Sequence, residues 1–132
     1  MNEFLWPVRV YYEDTDAGGV VYYANYLRFM ERARTEWLRK LGFEQDELIA
    51  QHDVLFAVRR VQVDYRQPAR FNDSLVVSVK VVEAGKASLT FAQAICRESD
   101  NTLLCEGKVK IASLEASSFK PRPIPASLQQ QL

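Results

Sequence analysis

The chain has few of the residues that build metal or redox centres. It contains one histidine, His52, and two cysteines, Cys96 and Cys105, which lie nine residues apart without a C-x-x-C pair. This spacing matches no zinc or dithiol pattern, so we predict two buried free thiols, no metal and no cofactor. A reducing cytoplasm is the simplest location for such thiols. We interpret His52, in a polar helix–strand connection, as having no part in the chemistry.

The sequence also lacks an excess of charge and a long apolar segment. Lys plus Arg and Asp plus Glu each number 17, so no overall field favours nucleic acid or an anionic membrane. No apolar stretch approaches the roughly 20 residues of a membrane helix, and the N-terminus lacks the features of a secretory signal. We therefore expect a cytoplasmic protein with no transmembrane segment, in which any attraction for an anionic ligand comes from a local patch.

The chain does contain enough apolar residues for a core. Hydrophobic residues make up 48% of its 132 residues, which predicts one domain over residues 1–132 that needs no disulfide or metal. Three prolines and several glutamines follow residue 116, and they predict an extended or frayed tail over about 116–132.

Apolar periodicity predicts one long helix and an antiparallel sheet. The helical stripe covers 26–41 and ends before Gly42, a residue typical of helix C-termini. A first strand over 5–12 contains Pro7, which favours a sheet edge. The other predicted elements are a short helix near 44–51 and strands over 55–65, 75–82, 88–97 and 103–112. Because one helix covers only one face of such a sheet, we predict an α+β fold with the sheet wrapped around the helix. The outer face then meets solvent or a second subunit.

Two details of this pattern are specific. The polar side of the long helix is predicted to face solvent, and it carries Arg28, Glu31, Arg32, Arg34, Glu36 and Arg39. In the strand over 55–65, the apolar residues change parity between Val58 and Val61. A strand of period two changes parity only through a bulge or bend, so we predict one at Arg59-Arg60.

The most informative segment covers residues 11–26 and reads YYEDTDAGGVVYYANY. Three carboxylates, Glu13, Asp14 and Asp16, precede a glycine pair and the start of the long helix. Carboxylates act as bases or nucleophiles, and glycine permits backbone angles that other residues avoid. A helix N-terminus offers unpaired N–H groups and a positive dipole end. Together these features predict a minimal hydrolytic site.

Two other chemistries fit only part of this segment. Asp14 and Asp16 match the first ligands of an EF-hand loop, but Gly18 and Asn25 occupy its fifth and twelfth positions, where ligands are required. A phosphotransferase of the Asp-x-Asp-x-Thr type needs a buried parallel strand before the first Asp, whereas the predicted strands are antiparallel. The sequence disfavours both alternatives.

Residues 14–26, followed by Glu31-x-Ala33-Arg34, resemble the signature of hotdog-fold acyl-CoA thioesterases. The chain is similar to the 4-hydroxybenzoyl-CoA thioesterase group, above all to its YbgC-like bacterial branch, which is associated with the Tol–Pal envelope system. Supporting similarities lie at residues 6–12, 63–70, 101–104 and 120–122. The resemblance implies a hotdog fold of about five strands around one helix. It also implies hydrolysis of short-chain or aromatic acyl-CoA without metal or cofactor.

The resemblance assigns roles within the motif. Asp16 corresponds to the catalytic carboxylate, acting as general base or nucleophile, and a backbone N–H near Tyr23 would stabilise the thioester oxygen. The oxyanion and substrate-binding candidates are Tyr23, Val21, Tyr22 and Asn25. Related chains often carry His at the position of Tyr23. Because tyrosine is a poor general base at neutral pH, we expect Tyr23 to contribute its N–H and a pocket wall.

The remaining motif residues have simpler interpretations. We expect Glu13 at the surface, Asp14 bonded to its own turn and Asn25 capping the helix. Coenzyme A is anionic, and the basic residues near strand ends or turns are Arg59, Arg60, Arg66, Arg70 and Lys86. Of these we select Arg59, Arg60 and Lys86 as the CoA-binding candidates.

The resemblance also implies a homodimer or homotetramer with the site between subunits. Acyl carrier protein is a second possible partner. The alternative function is an interaction protein that binds acyl groups or acyl carrier protein with little turnover. A hotdog dehydratase is disfavoured because it uses a catalytic histidine, and His52 lies far from the motif.

Overall fold

The computed structural model describes residues 3–132, which form one five-stranded antiparallel sheet and three α-helices. The elements are β1 (Phe4–Arg9), α1 (Ala24–Lys40), α2 (Gln45–His52), β2 (Val54–Tyr65), β3 (Ser74–Ala84), β4 (Ser88–Arg97), β5 (Leu103–Glu115) and α3 (Ala126–Gln129). The spatial order β1-β3-β4-β5-β2 leaves β1 and β2 at the edges. The predicted α+β class is confirmed, and Pro7 lies on an edge strand as expected.

Helix α1 packs its apolar stripe against the sheet. Phe29, Met30 and Ala33 are completely buried in the same core as the inner residues of β3, and each large apolar side chain contributes roughly 1.5–3 kcal/mol by this burial. The helix ends at Lys40, and Gly42 follows its C-cap with a φ of +97° that only glycine adopts readily. The prediction that Arg34 faces solvent is wrong, because its side chain is half-buried and donates to Gln93.

The strands follow the predicted alternation. Leu75, Val77, Val79 and Val81 of β3 are all buried. The predicted bulge in β2 is confirmed: Val58 pairs with Ile111 and Arg60 with Lys110, which leaves Arg59 as the extra residue. The bulge keeps Val58 and Val61 on the helix side of the sheet, since their partners on β5 are core residues.

The first predicted strand is too long. β1 ends at Arg9, and Tyr12–Asp14 form a short 3₁₀ helix. The physical reason is local, because the Asp14 carboxylate accepts the Tyr11 N–H at 2.8 Å and closes the turn. The last strand is longer than predicted and continues to Glu115.

Of the two alternatives predicted for residues 116–132, extended or frayed, the frayed one does not hold, because the tail packs against the domain. Pro121 pairs with Leu114, and the Ile124 N–H donates to the Lys86 carbonyl at 2.9 Å. Ile124 and Leu128 are buried in the core, Leu128 from the short helix α3. The tail therefore forms part of the domain.

Both cysteines are free thiols. Cys105 is buried as predicted, and desolvation raises the pKa of its thiol to about 12. Cys96 is only half-buried. Among residues 3–132, no helix has the length and apolar character needed to cross a membrane.

Candidate active site

Asp16 lies directly before the turn of a short hairpin formed by residues 15–21, here called the Asp16 hairpin. Thr15 pairs with Val21, and the Asp16 N–H donates to the Val20 carbonyl at 2.9 Å. The Gly19 N–H closes the turn by donating to the Asp16 carbonyl at 3.0 Å. The three-residue connection ends in a left-handed residue, a common way to close a hairpin. The hairpin presents Asp16 at the protein surface.

The glycine pair positions the Asp16 carboxylate. Gly19 has a φ of +77°, which strains any residue with a Cβ. The Gly18 N–H donates to Asp16 Oδ1 at 2.8 Å, and a Cβ on Gly18 would lie 3.2 Å from that oxygen. The second carboxylate oxygen accepts no hydrogen bond from the described part of the chain. One oxygen is thus held while the other is free for chemistry.

The start of α1 is held through the carbonyl of Asp14, the residue directly before the hairpin. That oxygen accepts the Tyr22 N–H and Asn25 Nδ2, both at 2.9 Å. Arg28 in turn donates to Asn25 Oδ1 at 3.2 Å. The expectation that Asn25 caps the helix is wrong, because the cap position is Tyr23 and Asn25 is buried inside the first turn. Asn25 instead fixes the distance between the hairpin and the helix.

Two backbone donors are free at this helix start. Within residues 3–132, neither the Tyr23 N–H nor the Ala24 N–H has an acceptor in the protein. The Tyr65 hydroxyl donates to the Tyr23 carbonyl at 3.3 Å and holds this backbone from the side of β2. Free N–H groups at the positive end of a helix favour a negatively charged oxygen.

Aromatic rings surround the hairpin. A surface cavity of about 530 Å³ beside Asp16 is lined by Tyr12 and Phe71 together with hairpin residues, and these two rings are 5.5 Å apart. On the helix side, the Tyr23 ring lies 5.0 Å from Tyr22 and 6.1 Å from Tyr65. Asp16 is therefore exposed to solvent but bordered by apolar surface.

The loop after β2 supports the site, and sequence reasoning did not identify its role. The Ala69 carbonyl accepts the Val21 N–H, and the Ala69 N–H donates to the Tyr26 hydroxyl, both at 2.9 Å. Burial raises the pKa of that hydroxyl. Arg97 holds the same loop through Asp73 Oδ2 at 3.1 Å and the Pro68 carbonyl at 3.0 Å. The loop places Phe71 beside Asp16, and the only sequence signal for this was the 63–70 similarity.

The structure separates the four oxyanion candidates. Val21 is buried and its N–H donates to the Ala69 carbonyl, while the Tyr22 N–H donates to the Asp14 carbonyl. Asn25 uses its side chain for support. Tyr23 alone of the four combines an exposed position with a free N–H. Glu13 is exposed and Asp14 bonds its own turn, both as expected.

Within one chain the basic candidates do not meet Asp16. Arg59 and Arg60 precede Tyr65 by five or six residues on an extended strand, a separation of roughly 17–20 Å along β2. Lys86 lies in the turn between β3 and β4. None of the three lines the cavity beside Asp16. In residues 3–132, no cluster of three potential metal-ligating side chains occurs, and His52 is exposed at the end of α2.

Residues 10–132 match the thioesterase-like superfamily. The chain is 48% identical over 125 residues to the acyl-CoA thioester hydrolase YbgC of Escherichia coli O6:H1, covering 95% of this chain and 92% of that protein. It is 45% identical over 129 residues to the acyl-CoA thioesterase YbgC of Haemophilus influenzae, with coverages of 97% and 93%.

The fold also matches solved structures. A 1,4-dihydroxy-2-naphthoyl-CoA thioesterase from Synechocystis superposes with a TM-score of 0.91 at 23% identity, over 98% of this chain and 94% of that chain. The predicted hotdog fold is therefore confirmed, and the similarity includes the Asp16 hairpin and the start of α1.

Proposed function

The chain belongs to the thioesterase-like superfamily and is an acyl-CoA thioester hydrolase, and we propose that it cleaves short-chain or aromatic acyl-CoA to the free acid and CoA. One observation carries this proposal. The free oxygen of the Asp16 carboxylate is presented by a hairpin whose preceding residue, Asp14, accepts hydrogen bonds from a helix start with unpaired N–H groups. A base or nucleophile next to a donor for negative oxygen is what thioester hydrolysis requires.

The Tyr23 N–H is the proposed oxyanion donor. When the thioester carbonyl is attacked, negative charge develops on its oxygen, and a fixed backbone donor stabilises that charge without reorganisation. Loss of one such donor costs about 2.7–4 kcal/mol in other enzymes. The Tyr65 hydroxyl and the Asp14 carbonyl support this role, because they hold the residues on which the donor depends.

Asp16 acts in one of two ways. As a general base it removes a proton from water, the water oxygen attacks the carbonyl carbon, and the C–S bond breaks to release CoA thiolate, which takes up a proton. As a nucleophile its carboxylate oxygen bonds to the carbonyl carbon, and the C–S bond breaks to release CoA thiolate. Water then hydrolyses the resulting acyl anhydride to the free acid and the Asp16 carboxylate. Label in the Asp16 carboxylate after a single turnover in H₂¹⁸O identifies the nucleophilic route with water attacking the Asp16 carbonyl, since general-base hydrolysis places label only in the product acid.

Exposed aromatic surface supports the proposed acyl class. Tyr12, Phe71, Tyr22 and Tyr23 are all between 46% and 79% exposed around the hairpin. Such rings favour contact with a flat or short apolar group, because aromatic pairs add attraction beyond the area they bury.

We also propose that the working unit is a homodimer, or a homotetramer built from two dimers. β2 is a free edge whose helix-side residues Val58, Val61 and Tyr65 are 39–51% exposed. Antiparallel pairing of β2 with its copy would satisfy this edge and cover these side chains. It would also bring Arg59, Arg60 and Lys86 of one subunit closer to the Asp16 hairpin of the other, where they would bind CoA phosphates.

A hydrolysis screen tests the proposal against the alternative of an acyl- or acyl-carrier-protein-binding protein with little turnover. Acetyl-, butyryl-, palmitoyl- and benzoyl-CoA are compared, with binding of acyl carrier protein measured on the same preparation. Turnover of the short or aromatic substrates, with palmitoyl-CoA slower, is the expected result. Negligible hydrolysis throughout, together with tight binding of acyl carrier protein, would contradict it. We also propose a cytoplasmic location and an association with the Tol–Pal system, and localisation experiments test both.

A further inference from the structure

A second cavity, separate from the Asp16 hairpin, lies between α1 and the sheet near the start of β2. Its volume is about 180 Å³. Its apolar walls include Trp37, Phe56, Val58, Leu89, Phe91 and Ile111, and Val58 lies on the β2 edge of the proposed dimer. The Trp37 and Phe91 rings pack edge to face at 5.2 Å. An apolar cavity of about 150 Å³ is large enough for benzene. The cavity therefore fits one small ring or a short acyl chain.

A guanidinium group also lines this cavity, together with the polar side chains of Thr35 and Gln45. Arg34 is half-buried, and its Nη1 donates to Gln93 Oε1 at 2.9 Å. Within residues 3–132 it forms no ion pair within 4.0 Å, and its other N–H groups have no protein acceptor. Burial lowers the pKa of Arg34, because the charge loses hydration there. A guanidinium with free donors in such a place favours an anionic acceptor.

Gln93 holds this guanidinium in position. It is buried, and its Nε2 donates to the Met30 carbonyl at 3.1 Å and to the Ser78 carbonyl at 3.3 Å. With both amide hydrogens used, its oxygen is directed to Arg34 and not to another partner. A fixed charge binds with a smaller loss of conformational entropy than a mobile one.

One acidic side chain, Glu31, also lines the cavity among the described residues. It is exposed and lies three residues before Arg34 on α1. Its charge partly offsets the lowering of the Arg34 pKa by burial, without approaching to ion-pair distance. Glu31 would repel an anion weakly from the surface, whereas Arg34 would attract it from inside the cavity.

We propose that this cavity binds a carboxylate carried on a small aromatic or aliphatic body, with Arg34 as its counter-ion. The carboxylate has two possible sources: a free acid, or the far end of a dicarboxylic acyl group in the thioester substrate. The second source rests on the proposed function. Arg34 lies about 15 Å along α1 from the helix start. A short acyl group held at Tyr23 would therefore not reach Arg34 of its own chain, so this second source also requires the proposed second subunit.

Benzoate is the probe for this site, with neutral benzamide as its matched control. The indole N–H resonance of Trp37 reports binding, and Trp6→Phe identifies which of the two indole signals is Trp37. We expect benzoate to shift that signal saturably and to bind at least about tenfold more tightly than benzamide, as a charge-assisted hydrogen bond requires. Equal binding of the two, or no shift of Trp37 with benzoate, would overturn the proposal.

Variants at the charged positions sharpen the test. Arg34→Met keeps the apolar stem and is expected to weaken the binding of benzoate at least about tenfold. Glu31→Gln should leave the affinity for benzoate unchanged or increase it. If Arg34→Met fails to fold because Gln93 loses its partner, Arg34→Lys is used as the test variant. Arg34→Lys should lose less benzoate affinity than is expected for Arg34→Met. Benzoate affinity that is unchanged in the folded Arg34 variant contradicts the assignment.

Kinetics identify the source of the carboxylate. If it belongs to substrate, Arg34→Met lowers the ratio of kcat/KM for glutaryl-CoA to that for pentanoyl-CoA at least about tenfold. An unchanged ratio with weakened benzoate binding assigns the site to a free acid. Benzoate binding is also measured in Asp16→Asn, where it should persist. Failure of this proposal is thereby distinguishable from failure of the catalytic assignment to Asp16.

Discussion

At the scale of single residues, Gly18 and Gly19 meet two different physical requirements of the loop that holds Asp16. Gly19 supplies a positive φ, and Gly18 supplies room for a carboxylate oxygen that its own N–H then binds. Asp14 and Asn25 are equally specific, because both connect the hairpin to α1 through the Asp14 carbonyl. The sequence indicated Asp16 and the glycines. It could not show that Asn25 donates to the Asp14 carbonyl instead of capping α1.

The Gly19 requirement predicts a loss of activity that exceeds the loss of stability. Gly19→Ala should lower the free energy of unfolding by about 1 kcal/mol through strain at positive φ. Because it also displaces Asp16, it should lower kcat/KM roughly 10- to 100-fold. Gly42→Ala is the matched control, since Gly42 has a similar φ at the far end of α1. Equal activities of the two variants would show that the hairpin conformation is unimportant for turnover.

At the scale of elements, the spacing of apolar residues predicted the helices and strands that depend on that spacing alone. The period of α1, the alternation of β3 and the bulge at Arg59 all follow from side-chain spacing, and all are confirmed. The tail differs because its order depends on remote partners. The Ile124 N–H bonds to Lys86, and Gln131 donates to the Leu41 carbonyl at 3.0 Å. No local signal in a proline- and glutamine-rich segment reveals such contacts.

The packed tail predicts a stability effect near the C-terminus. Leu128→Ala should lower the free energy of unfolding by about 2–5 kcal/mol, because it leaves a cavity under a fully buried side chain. Ser127→Ala, at an exposed neighbouring position, should change it by less than about 0.5 kcal/mol. Urea unfolding followed by circular dichroism measures both. A Leu128 variant as stable as the Ser127 variant would mean that the tail contributes nothing to the core.

At the scale of the whole molecule, the candidate site combines segments that are distant in the chain. The Asp16 hairpin and the start of α1 are adjacent in sequence, so a motif could reveal them. Phe71 and the loop held by Arg97 reach Asp16 only through the folded sheet, and sequence spacing does not encode that proximity. The CoA candidates Arg59, Arg60 and Lys86 lie away from Asp16 in one chain, and their role depends on a second subunit.

The exposed edge of β2 predicts that the protein forms at least a dimer. In analytical ultracentrifugation the protein should sediment as at least twice its 15.2 kDa chain mass. Val61→Asp should shift it towards the single-chain mass and lower turnover, because two like charges would face each other across the paired edge. Ile49→Asp changes an exposed apolar residue on α2 and should leave the assembly intact. A monomeric and fully active native protein would contradict the proposed dimer.

The central claim is that Asp16 performs the chemistry, and the most direct test is kcat/KM for benzoyl-CoA in Asp16→Asn. Asn keeps an oxygen to accept the Gly18 N–H, so the hairpin should persist and thermal unfolding should match that of the native protein. Glu13→Gln, a neighbouring exposed carboxylate, is the control and should retain full activity. We predict that Asp16→Asn lowers kcat/KM by about 10²- to 10⁴-fold. Native-like turnover in a folded Asp16→Asn protein would contradict the account.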